Sequence, residues 1–473
     1  MGHNDSALAM TADKIQQQLT DYASDLSFER ISPEALHAAK VRIIDTFGAL
    51  MGGFDGAPCE MGRRLAAASP MAGGATVIGT RIVTAPDMAA FANATTSRFV
   101  EANDVYRWPK STGGHPSDVI MPLFAVSECA RADGRAFITG VVLAYEIYCR
   151  ISDCMDAWGK GVEPTNFARI AVAAAAARIW KLSRPQLWQA ISMAAVAGNL
   201  VRQVRTGHLS MWKAVASGEA GRAGVFAAVL AREGMEGPSL PFEGKHGWCN
   251  DITRQPLEIT TMGGEGVQFK VETTLIKPRT TCAATISSTL AAEKVAASLK
   301  GNFKDIAKVQ VEVYQSAKEG MATGAHHWNP ESRETADHSI PYVVAATLLD
   351  GTISPIQFDA AHIADPVLKA ILAKVEVTAN DEYTALYKKH PAEHHTRVTV
   401  SMANGQTITG EAGGDKGDLA NPKTDGEIEE KFRRLTEGYL GAKAVSAILA
   451  RLWDLENMKN VAQIAPAFVI PKQ

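Results

Sequence analysis

"NFARIAVAAAAARIWKLS", residues 166–183, decides how the first half of this chain folds. Alanine is the strongest helix former, and a helix with small residues on nearly every face lets its neighbours approach closely from all sides. Such a helix belongs inside a helical core. "EAGRAGVFAAVLAREG", residues 219–234, has the same character. "ISPEALHAAKVRIIDTFGALMGG", residues 31–53, adds boundary signals: Ser32 as cap, Pro33 in the first helical position, Glu34 in the first turn, and Gly52-Gly53 as the stop. Between them Leu36, Ala39, Ile43 and Phe47 recur at helical spacing. "SRPQLWQAISMAAVAGN", residues 183–199, repeats that grammar with Ser183 and Pro185. These segments predict a large, tightly packed helical domain.

Near residue 267 the pattern changes. "VQFKVETT" (267–274), "VQVEVY" (309–314) and "KVEVTAN" (374–380) alternate like strands, and "RVTVSMANGQTITGEA" (397–412) sets Asn404-Gly405 between two alternating runs, a hairpin signal. Helical spacing returns in "DGEIEEKFRRLTEGYL" (425–440) and "AKAVSAILARLWDLENM" (442–458). The expected fold is mainly α with an α+β insertion. Residues 1–267 and 410–473 form the helical domain from both chain ends, and residues 268–409 form a smaller α+β lid domain.

Composition narrows the function classes. The 473 residues are 46% hydrophobic and 21% charged with a net charge of -3, which offers no basic surface for nucleic acid or an anionic membrane. The six cysteines include no CxxC pair and no zinc or disulfide spacing, so a reduced, cytoplasmic setting is expected. The first 26 residues lack a signal-peptide core, and no run approaches the roughly 18 apolar residues of a membrane helix. No GxxxxGK[ST], HExxH, GxSxG or strand-linked GxGxxG motif is present, which leaves nucleotide, zinc and serine-hydrolase chemistry without an anchor. No metal site is expected.

What remains is a set of charged residues where a helical core wants apolar ones. "VEANDVYRWPKSTGGHPSD" holds Glu101, Asp104, Tyr106, Lys110, His115 and Asp118 between two apolar helices. A loop held by a rigid scaffold is where function concentrates. "NLVRQVRTGHLSMWKAVASGEAGR" interrupts an Ala/Gly-rich region with Arg202, Arg205, His208 and Lys213, and buried cations there demand anionic partners such as a substrate carboxylate. "TTLIKPRTTC" offers Lys277, Arg279 and Cys282 at the candidate domain junction. In "ETADHSIPYVVAATLLDG", Asp337 or Ser339 reads as a helix cap, followed by Tyr342. "KKHPAEHHTR" reads as solvent-facing.

The order of these motifs resembles the MmgE/PrpD family: "AKVRIIDTFGALMGG", "EANDVY" followed by "GHPSD", "RTGHLSMWKA", "AREGMEGP" with "FEGKHG", "TLIKPRTTC" and "ETADHSIPYVVAATLLDG". The resemblance runs over nearly the whole chain. It implies a helical domain with an inserted lid, a homodimer, and a cofactor-free site between the domains for substrates with two or three carboxylates. By the same resemblance His115 takes the place of the family's HPS histidine, Asp104 its loop aspartate, Lys213 its helix lysine, Lys277 its lid lysine and Tyr342 its tyrosine. Departures are visible too. Glu163 stands where the family's decarboxylases carry a histidine before Pro-Thr, Cys282 stands where members commonly have a histidine, and the loop reads Glu101, Asn103, Asp104, Val105.

The reactions of this family share the making or quenching of a carbanion beside a carboxylate. His115 is the expected base, having the unperturbed pKa nearest neutrality. Lys213, Lys277 and Arg205 are the expected cations for the developing enolate-like charge, with Glu101, Arg202 and Cys282 as further substrate contacts. A dehydratase also needs an acid for the leaving hydroxyl, for which Tyr342 or His208 is expected. The leading expectation is a hydro-lyase acting on a 2-methylcitrate-like polycarboxylate. Alternatives are an epimerase of an amino- or imino-dicarboxylate, which pairs His115 with Lys213 or Tyr342, a cis-aconitate-type decarboxylase, and a non-catalytic homologue. Glu163 separates the first two: it either pairs with a cation of the site or meets a positively charged substrate group.

Overall fold

The helix Thr165–Ile179 is buried at every position from Thr165 to Ala177. It lies among the helices Gly134–Asp153, Arg184–Val196 and Trp212–Arg232. The small faces permit this: a Cβ placed on Gly224 would come 2.6 Å from the Arg169 carbonyl oxygen, so only glycine lets the two backbones approach so closely. The structure, a computed structural model, describes residues 13–107, 113–299, 301–389, 392–414 and 421–471. Lys110 lies outside the described residues.

Helix starts follow the local chemistry. Ser32 accepts a hydrogen bond from the Ala35 amide and opens Pro33–Gly52, while Ser183 and Gln186 form a reciprocal capping box before Arg184–Val196. The chain's last helices pack back on its first. Asp425–Leu440 lies along Pro33–Gly52, and the buried Lys431 ammonium reaches Asp45 at 2.5 Å and the Ala102 carbonyl at 2.6 Å. Trp212–Arg232 is long and apolar enough to cross a membrane, unlike what the sequence predicts. It packs instead against Pro86–Phe99, Thr165–Ile179 and Arg184–Val196.

The chain builds a second hydrophobic core from residues between Ala291 and Ala412, separate from the main one. Its sheet runs in the order Val375–Ala379, Ile306–Val313, Thr396–Met402, Thr407–Ala412. The first pair is parallel and the others antiparallel. The Asn404-Gly405 turn joins the last two strands, and the helices Ile286–Leu299 and Ile340–Asp350 cover the sheet. The architecture is mainly helical with a small mixed sheet in the C-terminal region.

One strand expectation fails. In "VQFKVETT" the segment Lys270–Thr273 is a 3₁₀ turn, because Lys270 is drawn inward to Asp153 at 2.7 Å and to the Tyr106 hydroxyl at 2.7 Å. Only Thr274–Leu275 extends, pairing with Val105–Tyr106 and tying the polar loop to the junction segment.

Removing one member of a buried ion pair leaves an uncompensated charge, at a cost of about 3–5 kcal/mol. Lys431→Met should therefore lower the urea unfolding free energy by about that amount, and the double variant Asp45→Leu/Lys431→Met should recover most of it. Equal losses in the single and double variants would show that packing, not the charge, is responsible.

Candidate active site

A cavity of about 830 Å³ opens between the helical core and the sheet-bearing region. From the helical side it is lined by Glu101, His115, Asp118, Glu163, Arg202 and Arg205, and from the other by Cys282, His327, His338 and His394.

His115 is held at two points. Its Nδ1 donates to the Asp104 carbonyl at 2.7 Å, and its backbone amide donates to the Tyr148 hydroxyl at 3.1 Å. Because a carbonyl only accepts, Nδ1 carries the proton, which leaves Nε2 with its lone pair. Nε2 sits 3.7 Å from Glu101 Oε1. Burial, and next the Arg98 guanidinium, hold the imidazole well below its usual pKa against the pull of Glu101. The turn before it is built for close approach: a Cβ on Gly114 would stand 2.1 Å from the Tyr148 hydroxyl.

Glu101 occupies the left-handed region with φ of 54°. A non-glycine residue tolerates that only when its surroundings hold it there. Here the Arg98 guanidinium lies 3.0 Å from its carboxylate, and Lys277 donates to its carbonyl at 2.8 Å. Burial raises the Glu101 carboxyl, but Arg98 and Lys277 outweigh it and keep it ionised well below its usual value. Arg98 also faces Asp118 at 3.2 Å, yet burial still pushes Asp118 up to about 6.

Glu163 faces cations of its own chain. Arg205 donates to it at 2.7 Å and Arg202 at 3.5 Å. Arg202 is further placed by stacking over Trp158 at 4.1 Å, and Arg107 stacks over Tyr387 at 4.0 Å, both beside the cavity.

Across the cavity Lys213 donates to both oxygens of Asp337, at 2.7 and 2.8 Å, and Asp337 binds Nδ1 of His338. The Cys282 amide donates to the Asp337 carbonyl at 3.0 Å. Burial raises the Asp337 carboxyl, but Lys213 and His338 overcome it and hold it low.

Comparison with known proteins identifies the family. The MmgE/PrpD N-terminal domain matches residues 17–259 and the MmgE/PrpD C-terminal domain matches residues 280–455. The chain belongs to the MmgE/PrpD family. A cis-aconitate decarboxylase-like protein of Aspergillus oryzae is 24% identical over 74% of this chain and 76% of its own length. A 2-methylcitrate dehydratase of Cupriavidus necator is 25% identical over 64% of this chain and 63% of its own, and human cis-aconitate decarboxylase is 28% identical over 28% and 26%. Relatives in the family thus include lyases of two kinds.

Against the residues expected from the sequence of this MmgE/PrpD chain, the structure brings His115, Glu101, Glu163, Arg202, Arg205 and Cys282 to the cavity wall. Lys213 and Lys277 lie behind that wall, fully engaged with Asp337 and with the Glu101 loop. Asp104 is buried: its carboxylate accepts from the Ser117 amide and the Tyr145 hydroxyl, so it positions the His115 loop and does not face the cavity. His208 does not line the cavity; its ring lies 5.3 Å from that of His326, which does. Tyr342 is the main correction. It is buried in the second core, donating to the Gln357 carbonyl near His362, because the apolar helix it opens turns it away from the cavity. Ser339, not Asp337, caps that helix, and neither Ser117 nor Asp118 caps the turn after His115. His394 is buried between Tyr314 and Tyr387, contrary to the solvent-facing reading of its segment.

Sequence reading overlooked Arg98 and assigned His338 no role. Arg98 stands in a small-residue helix that has no other cation, and that was its available signal. His338 gave none apart from its neighbour Asp337.

Arg98→Gln should raise the His115 pKa, since it deletes a cation that disfavours the imidazolium. NMR titration of the imidazole reads this directly, and an unchanged pKa would mean that burial alone controls it.

Proposed function

We propose that this chain is a cofactor-independent lyase that removes a proton beside a carboxylate of a di- or tricarboxylate and expels a β-hydroxyl group, on a substrate resembling 2-methylcitrate. The observation that carries this reading is His115: an imidazole kept neutral, with Nδ1 committed to a carbonyl and Nε2 free to accept, in a cavity rimmed by Arg107, Arg202 and Arg205. A base must be unprotonated to act, and arginines suit planar carboxylates. Lys277 and Lys213, desolvated behind the wall, add a fixed positive field for the enolate-like charge. The printed activities of the relatives, 2-methylcitrate dehydratase and cis-aconitate decarboxylase, lie in the same substrate class.

The pairing of Glu163 with Arg205 argues against a substrate bearing a cationic nitrogen. A carboxylate already bound to two arginines has little left to offer an ammonium or iminium group, so the polycarboxylate reading is preferred to the epimerase.

The deciding experiment is a panel of di- and tricarboxylates in deuterium oxide, followed by ultraviolet absorbance, deuterium incorporation and carbon dioxide release. Alkene absorbance from a β-hydroxy tricarboxylate is expected. Exchange without absorbance would replace dehydration by epimerisation, carbon dioxide release would replace it by decarboxylation, and silence on every channel would remove the enzymatic reading.

Two further outcomes follow from the geometry. His115→Ala should lower kcat/KM by about 100-fold or more. The acidic limb of the wild-type kcat/KM profile should fall below pH 6.5, because the depressed pKa keeps His115 deprotonated until the solution is more acidic than its ordinary value; a limb above 6.5 would assign the base to another group.

A further inference from the structure

Cys282 is the one cysteine of the six that lines the cavity. It begins the segment leading into helix Ile286–Leu299 and lines the cavity beside His338. Its amide donates to the Asp337 carbonyl at 3.0 Å, and the neighbouring Thr281 hydroxyl donates to the same oxygen at 2.9 Å, so the segment is pinned to the Asp337-His338 turn. On that turn the Asp337 carboxylate engages His338 Nδ1 and is itself clamped by Lys213. That bond engages only one nitrogen of His338, Nδ1, and the ring lines the cavity together with Cys282. A carboxylate-held imidazole close to a thiol makes the sulfur exchange protons readily.

Resting on the reading of the cavity as a lyase site, we propose that Cys282 is its second proton-transfer group, sharing a dissociable proton with His338, while Asp337 and Lys213 act as positioning residues. The step balances simply. His115 Nε2 takes the proton from the carbon beside the carboxylate, the released electron pair forms the carbon–carbon double bond, and the carbon–oxygen bond breaks. The proton held by the Cys282–His338 pair goes to the departing oxygen, which leaves as water. Solvent then returns a proton to the pair and removes one from His115.

The electrostatics agree with the geometry. Burial alone raises the Cys282 thiol, but His338 overcomes it and brings the thiol below its usual value. Burial disfavours a charged His338, and Cys282, with Asp337 behind it, reverses that. The other five cysteines are all pushed up by burial, Cys154 to about 11 and Cys59 to about 12. This assignment also fills the vacancy left by Tyr342, which the fold places in the second core.

Two measurements on the full-length chain test the proposal. Iodoacetamide labelling followed by mass spectrometry should find Cys282 modified faster than the other cysteines at pH 6–7 (a range set by the ~8.5 of a free thiol), with the preference lost in His338→Ala. Preferential labelling of another cysteine, or labelling of Cys282 that rises only above the ordinary thiol range, overturns the proposal whatever the substrate proves to be. On the substrate found by the carboxylate panel, Cys282→Ala should lower kcat by about 100-fold or more, the scale of one acid–base group. KM should change little, and Cys282→Ser should recover only part of the rate. A Cys282→Ala variant with kcat within about twofold of wild type, far inside that scale, overturns it too. Wild-type silence on the whole panel instead defeats the lyase reading, and labelling still decides whether the thiol is activated.

Discussion

Arg98 is a guanidinium with no exposed surface, and the position of the His115 loop depends on it. A bare charge in a core of alanine and glycine is costly, so Arg98 must be met by carboxylates, and it draws in Glu101 at 3.0 Å and Asp118 at 3.2 Å from the two ends of one loop. Asp104 turns its carbonyl to His115, Gly114 passes under Tyr148, and the imidazole arrives at the cavity in one tautomer. The strain at Glu101, with its positive φ, is sustained by the same ion pair.

A second constraint links the two cores. Lys213 starts the helix Trp212–Arg232 of the main core, and Asp337 precedes the helix Ile340–Asp350 of the second, so their buried pair crosses the junction at 2.7 Å. The pair fixes His338 and, through the Asp337 carbonyl, the start of the Cys282 segment. Lys213, expected as a catalytic cation, instead donates to both oxygens of Asp337 and does not line the cavity.

Much of the site was legible as composition. Charged residues in a small-residue helical region must be either partnered or functional, which is why Glu101, His115, Arg205 and Lys213 stood out before any coordinates. Lining could not be read in the same way. Lys277 and Cys282 are only five residues apart, yet one is wholly buried against the Glu101 loop and the other faces the cavity. Tyr342 misled for a related reason: a tyrosine on the first turn of an apolar helix can face either core or cleft, and the pitch of that helix in the second core made the choice. His338 stands beside Asp337 in the sequence, but its place next to the Cys282 segment on the cavity wall exists only once the chain doubles back.

By itself the sequence determined the helices at Pro33–Gly52, Thr165–Ile179, Arg184–Val196, Trp212–Arg232, Asp425–Leu440 and Ala442–Trp453 and the hairpin at Asn404-Gly405, since helix caps, small-residue faces and alternation act over a few neighbouring residues. It determined that buried charges had to exist, and through the order of its motifs it pointed to the family. Only the tertiary structure decided which charges pair with one another. Glu163 with Arg205, Arg98 with Glu101 and Asp118, and Lys213 with Asp337 are choices among many equal candidates. They are made where desolvation penalises every arrangement that leaves a charge alone.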